Sequence, residues 1–244
     1  MIIFSNTYNV LYQFSDAEIL DLSDNGFTGV LWDNIGDLLV LSELRLTTNS
    51  IEGPLPASIG SMGNLEIIRL GNNDLTGEFP TGIYDLDNLR VLEVDNNAMD
   101  GPLSATIGNL VSLEILRLNG NVRARAGPGS VTSAGFSGAL PAEIGKCVEL
   151  TILEIYTNDF EGELPTSIGN LINLEIFDIE FNNFSGQIPD EIANMASLRE
   201  FYLSNNSFEG AIPAEVCLVD SLTNVFADCD LDCSCCDTNP SCGA

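Results

Sequence analysis

A 24-residue stretch, residues 150–173, reads LTILEIYTNDFEGELPTSIGNLIN and contains every feature that the rest of the chain repeats. Apolar and polar side chains alternate around Leu153 and Ile155, which is typical of a short strand with one buried face. Asn158 ends this strand, and Pro165 follows after a glycine. Because proline removes a backbone donor and clashes with a preceding helical turn, it blocks a long helix here. The stretch predicts one strand followed by an irregular return.

The same pattern recurs along nearly the whole chain. An asparagine ends each predicted strand at Asn25, Asn49, Asn73, Asn97, Asn121, Asn158, Asn182 and Asn206. The interval is 24 residues, except for the 37 residues between Asn121 and Asn158, which is 24 plus 13. One such unit cannot bury its apolar face alone, whereas stacked units bury a continuous column. The sequence therefore predicts a solenoid over 17–227, with eight repeats plus one degenerate repeat and an insertion within 122–135.

The consensus L-x-x-L-x-L-x-x-N-x-L-x-G-x-I-P-x-x-I-G-x-L resembles the plant-type leucine-rich repeat. That subclass occurs in ectodomains of receptor-like kinases and receptor-like proteins and in polygalacturonase-inhibiting proteins. The resemblance implies an α/β fold, a right-handed solenoid with a concave parallel β-sheet and short 3-10 or irregular segments on the convex side. It also implies an extracellular, non-catalytic module that binds a protein, peptide or carbohydrate.

Composition excludes several other functions. The chain carries 8 Lys+Arg against 36 Asp+Glu, a formal charge of −28, so it lacks the basic surface that nucleic-acid binding needs. It contains no histidine, which removes every catalytic mechanism and metal site that uses an imidazole. No run of 18 apolar residues is present, so we expect no membrane span, and no cofactor is predicted.

Cysteine is concentrated at the carboxyl end. Six of the seven cysteines lie in the last 28 residues, at Cys217, Cys229, Cys233, Cys235, Cys236 and Cys242. An even cluster in a short segment predicts a disulfide framework. A zinc knuckle from Cys233, Cys235, Cys236 and Cys242 is the alternative, disfavoured because paired C-x2-C spacings are lacking. The remaining Cys147 replaces a core leucine, and we expect a buried free thiol.

The two ends are expected to cap the solenoid. Residues 1–16 lack cysteine and predict a minimal or truncated amino-terminal cap, and residues 228–244 predict a Cys-rich carboxyl-terminal cap. The apolar stretch at the amino terminus is too short for a signal peptide, so we expect the signal sequence to lie outside this chain. Asn183 and Asn205 begin N-glycosylation sequons, which fits an oxidising compartment.

Residues two, four and six positions before each ladder asparagine are expected on the concave face. Exposed aromatic side chains beside charges are enriched at recognition surfaces. The sequence therefore predicts a ligand site over repeats five to eight and the insertion, formed by Arg117, Arg123, Arg125, Glu154, Tyr156, Asp178, Glu180, Phe181, Tyr202 and Phe226.

Two other interpretations remain open. The acidic chain could be a structural or adhesive surface protein with cation-mediated contacts, and the acidic tail from Asp228 to Asp232 could bind calcium weakly. Glu154 and Asp178 lie on neighbouring predicted strands, about 5 Å apart, as in a retaining glycosidase. An open solenoid face offers no cleft that excludes water, which disfavours an enzyme.

Overall fold

The computed structural model describes residues 15–122, 135–229 and 231–236, so most of the predicted amino-terminal cap, Arg123, Arg125 and Cys242 lie outside it. Short strands follow one another along the chain: β1 (Ile19–Asp21), β2 (Thr28–Val30), β3 (Glu43–Arg45), β4 (Ser50–Gly53), β5 (Ile67–Arg69), β6 (Asp74–Gly77), β7 (Val91–Glu93), β8 (Ala98–Met99), β9 (Gly101–Pro102), β10 (Ile115–Arg117), β11 (Phe136–Gly138), β12 (Ile152–Glu154), β13 (Asp159–Gly162), β14 (Ile176–Asp178), β15 (Asn183–Gly186), β16 (Glu200–Tyr202), β17 (Ser207–Phe208) and β18 (Asn224–Phe226).

Three parallel sheets run along the solenoid. Nine strands form the concave sheet in the order β1-β3-β5-β7-β10-β12-β14-β16-β18. The second sheet is split into β2-β4-β6-β8 and β9-β11-β13-β15-β17. The register of the concave sheet places residues 24 apart side by side, and 37 apart across the insertion, where Arg117 pairs with Glu154. The predicted α/β leucine-rich-repeat solenoid is confirmed.

Short 3-10 helices occupy the side opposite the concave sheet. They span Ile35–Asp37, Ala57–Ser61, Thr81–Asp85, Ala105–Asn109, Ala142–Lys146, Thr166–Asn170, Asp190–Asn194 and Val216–Leu218. Proline precedes five of them as the N-cap residue with extended backbone, at Pro56, Pro80, Pro141, Pro165 and Pro189. The Leu-Pro, Phe-Pro and Ile-Pro pairs of the repeat therefore set where each helical turn begins.

Glycine lets neighbouring 3-10 helices contact each other through backbone. A Cβ atom at Gly145 would lie 2.3 Å from the Ser167 carbonyl oxygen, and one at Gly169 would lie 2.2 Å from the Glu191 carbonyl oxygen. These distances are shorter than any van der Waals contact, so only glycine fits. The Ile-Gly pair of the repeat is thus a packing requirement of the stacked coils.

The predicted asparagines form a ladder that joins each coil to the coil before it. Asn73 donates to the carbonyl oxygens of Leu46 and Leu70 at 2.9 and 3.0 Å, and its Oδ1 accepts the Ile51 N–H at 3.1 Å. Asn158 continues the pattern across the insertion by donating to Leu118 O at 3.0 Å. We call these side chains the ladder asparagines. Buried amides of this kind satisfy backbone groups that would otherwise be unpaired.

Leucine, isoleucine and phenylalanine fill the space between the sheets and the 3-10 helices. Phe136, Phe160 and Phe184 are fully buried and stack at centroid distances of 6.4 and 6.0 Å. Cys147 is buried among these residues as a free thiol, as the sequence predicted. Burial raises its pKa to about 11, so the thiol stays protonated and unreactive at neutral pH.

The carboxyl end closes the last coil with disulfide bonds. Cys217 pairs with Cys235 and Cys233 pairs with Cys236, and Cys229 is also disulfide-bonded. These bonds contradict the alternative zinc knuckle, because oxidised sulfurs are not available as thiolate ligands. The chain beyond β18 also pairs with the preceding coil, since Asp232 forms an isolated parallel bridge with Ala211 and the Ile212 N–H donates to Asp232 O at 2.9 Å.

Candidate functional site

The concave face presents alternate side chains of each strand. In β10 the middle residue Leu116 is fully buried, whereas Ile115 and Arg117 on either side of it are half-buried. The same arrangement holds in β12 and β14. Residues two, four and six positions before each ladder asparagine therefore line this face in three columns, as expected from the period of a strand.

Most carboxylates of the concave face, from Asp21 to Glu154, are paired with arginine, whereas Asp95 is not. Arg117 lies between two of them, with its guanidinium 2.7 Å from Glu93 and 2.6 Å from Glu154. Arg69 Nε is 3.0 Å from Glu93 Oε2, an ion pair whose angle falls outside hydrogen-bond geometry. Arg45 similarly contacts Glu43 and Asp21. We call this part of the face the paired half.

Arg117 is therefore occupied within the protein. The sequence predicted it as part of the ligand site, but both sides of its guanidinium bind carboxylates of neighbouring strands. Arg123 and Arg125, predicted to act with it, lie outside the described residues. Glu154, one member of the suggested glycosidase pair, is likewise held in an ion pair.

Beyond Glu154 the three columns contain no lysine or arginine in the described residues. We call the part of the face beyond Glu154 the acidic half, and it carries Asp178, Glu180 and Glu200. Burial, together with the negative charges of Glu180, Glu154 and Glu200, raises the pKa of Asp178 to about 7, against a hydrogen bond from the Glu180 N–H that lowers it. Burial also raises the pKa of Glu180. Negative charge accumulates here without a cation to balance it.

Aromatic side chains lie beside these carboxylates. Tyr202 stacks on Phe226 with ring centroids 5.3 Å apart, and its hydroxyl donates to Glu200 Oε2 at 2.9 Å. Tyr156, two residues after the end of β12, is half-buried. Phe181 follows β14 with a positive φ of 53° and exposes 52% of its surface. The structure thus brings all the described residues of the predicted site onto one surface.

Two residues of this face were not singled out from the sequence. Asn119 is only 5% exposed, and its Oδ1 has no hydrogen-bond partner among the described residues. Asp95 lies one strand earlier in the same column. Its carboxylate lies close to Gly71, where a Cβ atom would be 2.4 Å from Asp95 Oδ1. Gly71, two residues after the end of β5, was the available signal, because a residue without a Cβ atom permits the close approach of another group.

Comparison with known proteins places the chain among solenoids of this type. The family model described as Leucine Rich Repeat matches residues 17–38, 64–86, 173–195 and 197–218. The ectodomain of the Arabidopsis receptor kinase HAESA, in complex with the peptide hormone IDA and the co-receptor SERK1, is 30% identical with a TM-score of 0.77. The alignment covers 88% of this chain and 34% of that chain.

Two further receptor structures are similar to the same extent. The GASSHO1/SCHENGEN3 ectodomain from Arabidopsis thaliana, in complex with CASPARIAN STRIP INTEGRITY FACTOR 2, is 29% identical with a TM-score of 0.76, over 84% of this chain and 23% of that chain. The plant peptide hormone receptor RGFR1 in complex with RGF2 is 29% identical with a TM-score of 0.76, over 85% of this chain and 31% of that chain. No curated protein sequence matches the chain.

The asparagine ladder, the concave sheet and these similarities define the chain as a leucine-rich-repeat protein. More narrowly, its repeats are similar to those of the plant receptor structures described above. The chain spans between about a quarter and a third of the length of the receptor chains that it matches. No helix among the described residues is long and apolar enough to cross a membrane.

Proposed function

We propose that this protein is an extracellular, non-catalytic module that binds a peptide or protein segment on the acidic half of its concave face. The observation that carries the proposal is the clustering of half-buried aromatic side chains, Tyr156, Tyr202 and Phe226, on a sheet face that no other part of the described chain covers. Aromatic residues at such positions supply contact area with little conformational freedom to lose. The similar receptor ectodomains were solved with peptide hormones bound.

Two features support the extracellular setting. The disulfides of the carboxyl-terminal cap persist only in an oxidising compartment. Asn183 and Asn205, which begin the two sequons, are both exposed and thus open to glycosylation. Lack of histidine and the open concave sheet favour recognition over catalysis.

Selection from a random dodecapeptide display library tests binding directly. A selected peptide carrying a photo-cross-linker should attach to the acidic half, within residues 152–156, 176–181 or 200–204, when the adducts are mapped by mass spectrometry. Recovery of no specific peptide, or cross-links confined to the second sheet, would overturn the proposal. A carbohydrate array run in parallel distinguishes a glycan ligand from a peptide.

A structural or adhesive role is the second candidate, and the charge of −28 favours it. In that case divalent cations would bridge carboxylates between molecules, and weak calcium binding would involve Asp228 and its neighbours. Asp228, however, already accepts the N–H groups of Asn205 and Asn206 at 2.6 and 3.1 Å, which leaves it less free to bind an ion. Self-association that requires millimolar calcium and is abolished by a chelator would support this alternative.

A further inference from the structure

Asp95, Asn119 and Tyr156 lie side by side on three consecutive strands of the concave sheet. The Asn96 N–H donates to Asn119 O at 2.8 Å, and the Gly120 N–H donates to Tyr156 O at 3.0 Å. These bonds fix the register immediately after β7, β10 and β12, so the three side chains occupy one column at the spacing of neighbouring strands, about 4.8 Å. Asn119 is the middle member.

Asn119 has an acceptor that the protein does not use. Its Oδ1 is buried, the residue is 5% exposed, and no described group donates to that oxygen. Buried polar atoms are nearly always paired, and an exception needs a physical reason. The ladder asparagines Asn97 and Asn121 on either side of Asn119 in the sequence are fully satisfied, so the repeat itself does not impose the unpaired oxygen. The oxygen has almost no accessible surface in this conformation, but no described group holds the amide, and its rotation about the Cβ–Cγ bond would turn the oxygen toward a donor from a ligand.

The charge around this column is mostly negative. Burial raises the pKa of the Tyr156 hydroxyl, and the carboxylates of Glu154, Asp178 and Asp95 raise it further, whereas the Arg117 guanidinium lowers it. Arg117 is already bound to Glu93 and Glu154. Asp95 is half-buried, and its carboxylate accepts a hydrogen bond from Asn96 Nδ2 at 2.9 Å but forms no ion pair with the described residues. Negative charge therefore surrounds the unused acceptor.

We propose that the Asp95–Asn119–Tyr156 column is a subsite for the cationic side chain, lysine or arginine, of an extended peptide lying along the concave face. The proposal rests on the peptide-binding function proposed above and names the ligand chemistry. The ammonium or guanidinium donates to Asn119 Oδ1 and to the Asp95 carboxylate. It thereby supplies the donor that the oxygen lacks and neutralises the carboxylate. The ring of Tyr156 lies beside the cation, where its π face attracts positive charge.

This assignment has a direct test with the library-selected peptides. Selected sequences should contain a conserved lysine or arginine, and replacing that residue with norleucine should weaken binding to the wild-type protein at least tenfold in fluorescence anisotropy at physiological salt. Asp95→Asn and Asn119→Leu should each lower the affinity for the parent peptide tenfold. In these variants, the norleucine peptide should bind nearly as well as the parent peptide. Glu161→Gln removes the same charge from an exposed position in β13 and should change affinity less than twofold.

The outcomes separate the two proposals. Suppose that a selected peptide binds the acidic half and loses affinity when Tyr202 is replaced, but keeps its affinity when its own lysine, Asp95 or Asn119 is replaced. That result would support the proposed function and overturn the cationic subsite. Equal losses for Glu161→Gln and Asp95→Asn would also overturn it, because they would show attraction by net charge alone. Failure to select any peptide overturns both.

Stability provides an independent readout. If Asn119 serves a ligand and not the fold, Asn119→Leu removes a buried unpaired acceptor and should leave the thermal unfolding midpoint of the free protein unchanged or higher. A lowered midpoint would show that Asn119 has a structural partner, which contradicts the assignment.

Discussion

At the scale of single residues, one amide per repeat holds two coils together. Asn97 is fully buried, donates to Leu70 O and Val94 O at 3.0 and 3.1 Å, and accepts the Leu75 N–H at 2.9 Å. With a further bond to Asp95 O at 3.1 Å, one side chain thus bonds four backbone groups, and Leu70 O and Val94 O each accept from a neighbouring ladder asparagine as well. Asparagine suits this position because its amide both donates and accepts.

Replacing a ladder asparagine should therefore be costly. Asn97→Ala leaves the Leu75 N–H without its acceptor and removes one of the two side-chain donors to each of Leu70 O and Val94 O, so it should lower the free energy of unfolding by about 1–3 kcal/mol, measured by urea denaturation. Asn88→Ala is the matched control, since Asn88 is exposed and makes a single bond to Gly63 O at 2.8 Å. Equal effects of the two changes would show that the ladder is not what joins the coils.

Asp178 makes stability depend on pH. Its pKa in the folded protein is raised from 3.8 to about 7, so the native state binds this proton more tightly than the unfolded chain does. The contribution favours folding fully below about pH 4 and is lost as pH rises through 7. Asp178→Asn should therefore stabilise the protein at pH 8, on the order of 1–3 kcal/mol after solvent screening, and much less at pH 4.

Urea denaturation at the two pH values checks this expectation. Asp190→Asn removes a carboxylate from an exposed 3-10 helix and serves as the control for net charge. The same gain at pH 4 and pH 8 for Asp178→Asn would contradict a titration of Asp178 between them.

At the scale of elements, the stacked 3-10 helices depend on glycine where their backbones meet. Gly145→Ala places a Cβ atom against the Ser167 backbone and should cost about 1–3 kcal/mol of unfolding free energy. Gly63→Ala, where the new atom meets nothing within 4 Å, should change it by less than about 0.5 kcal/mol. Thermal unfolding of both variants measures the difference, and similar midpoints would refute the role of close packing.

Much of the fold was predictable from the sequence because the repeat encodes it locally. The residues around Asn158 indicate a strand, a turn and an irregular return within 24 residues, and the other repeats indicate the same elements. The split of the second sheet between β8 and β9 was not predictable, since both strands lie in one coil and differ only in which neighbour they pair with. That choice depends on backbone hydrogen bonds between coils, which no single repeat contains.

The candidate site was predictable only in part. Strand periodicity correctly placed Tyr156, Asp178 and Tyr202 on one face, because the period of two is local. It could not show that Arg117 binds two carboxylates 24 and 37 residues away, since that depends on side-chain conformations across strands. Nor could it show that Asn119 is buried, as polar residues in the same column differ in exposure: Ser204 is also buried, whereas Thr47 and Asp95 are half-buried.

At the scale of the whole molecule, the concave face is divided by charge. In the paired half, arginines bridge the carboxylates of adjacent coils, and in the acidic half carboxylates and aromatic rings lie without a balancing cation. The leucine core is continuous beneath both halves. The solenoid thus provides one rigid support for two surfaces of different chemistry, and we expect the acidic half to bind the ligand.

The affinity of a library-selected peptide for single-site variants tests this account most directly. Measured by isothermal titration calorimetry, Tyr156→Ala and Tyr202→Ala should each weaken binding by about 1–3 kcal/mol, while Thr47→Ala in the paired half should have almost no effect. Thermal midpoints should be nearly unchanged in all three variants, because these side chains point away from the core. Unchanged affinity in both tyrosine variants, or a loss only in Thr47→Ala, would contradict binding at the acidic half.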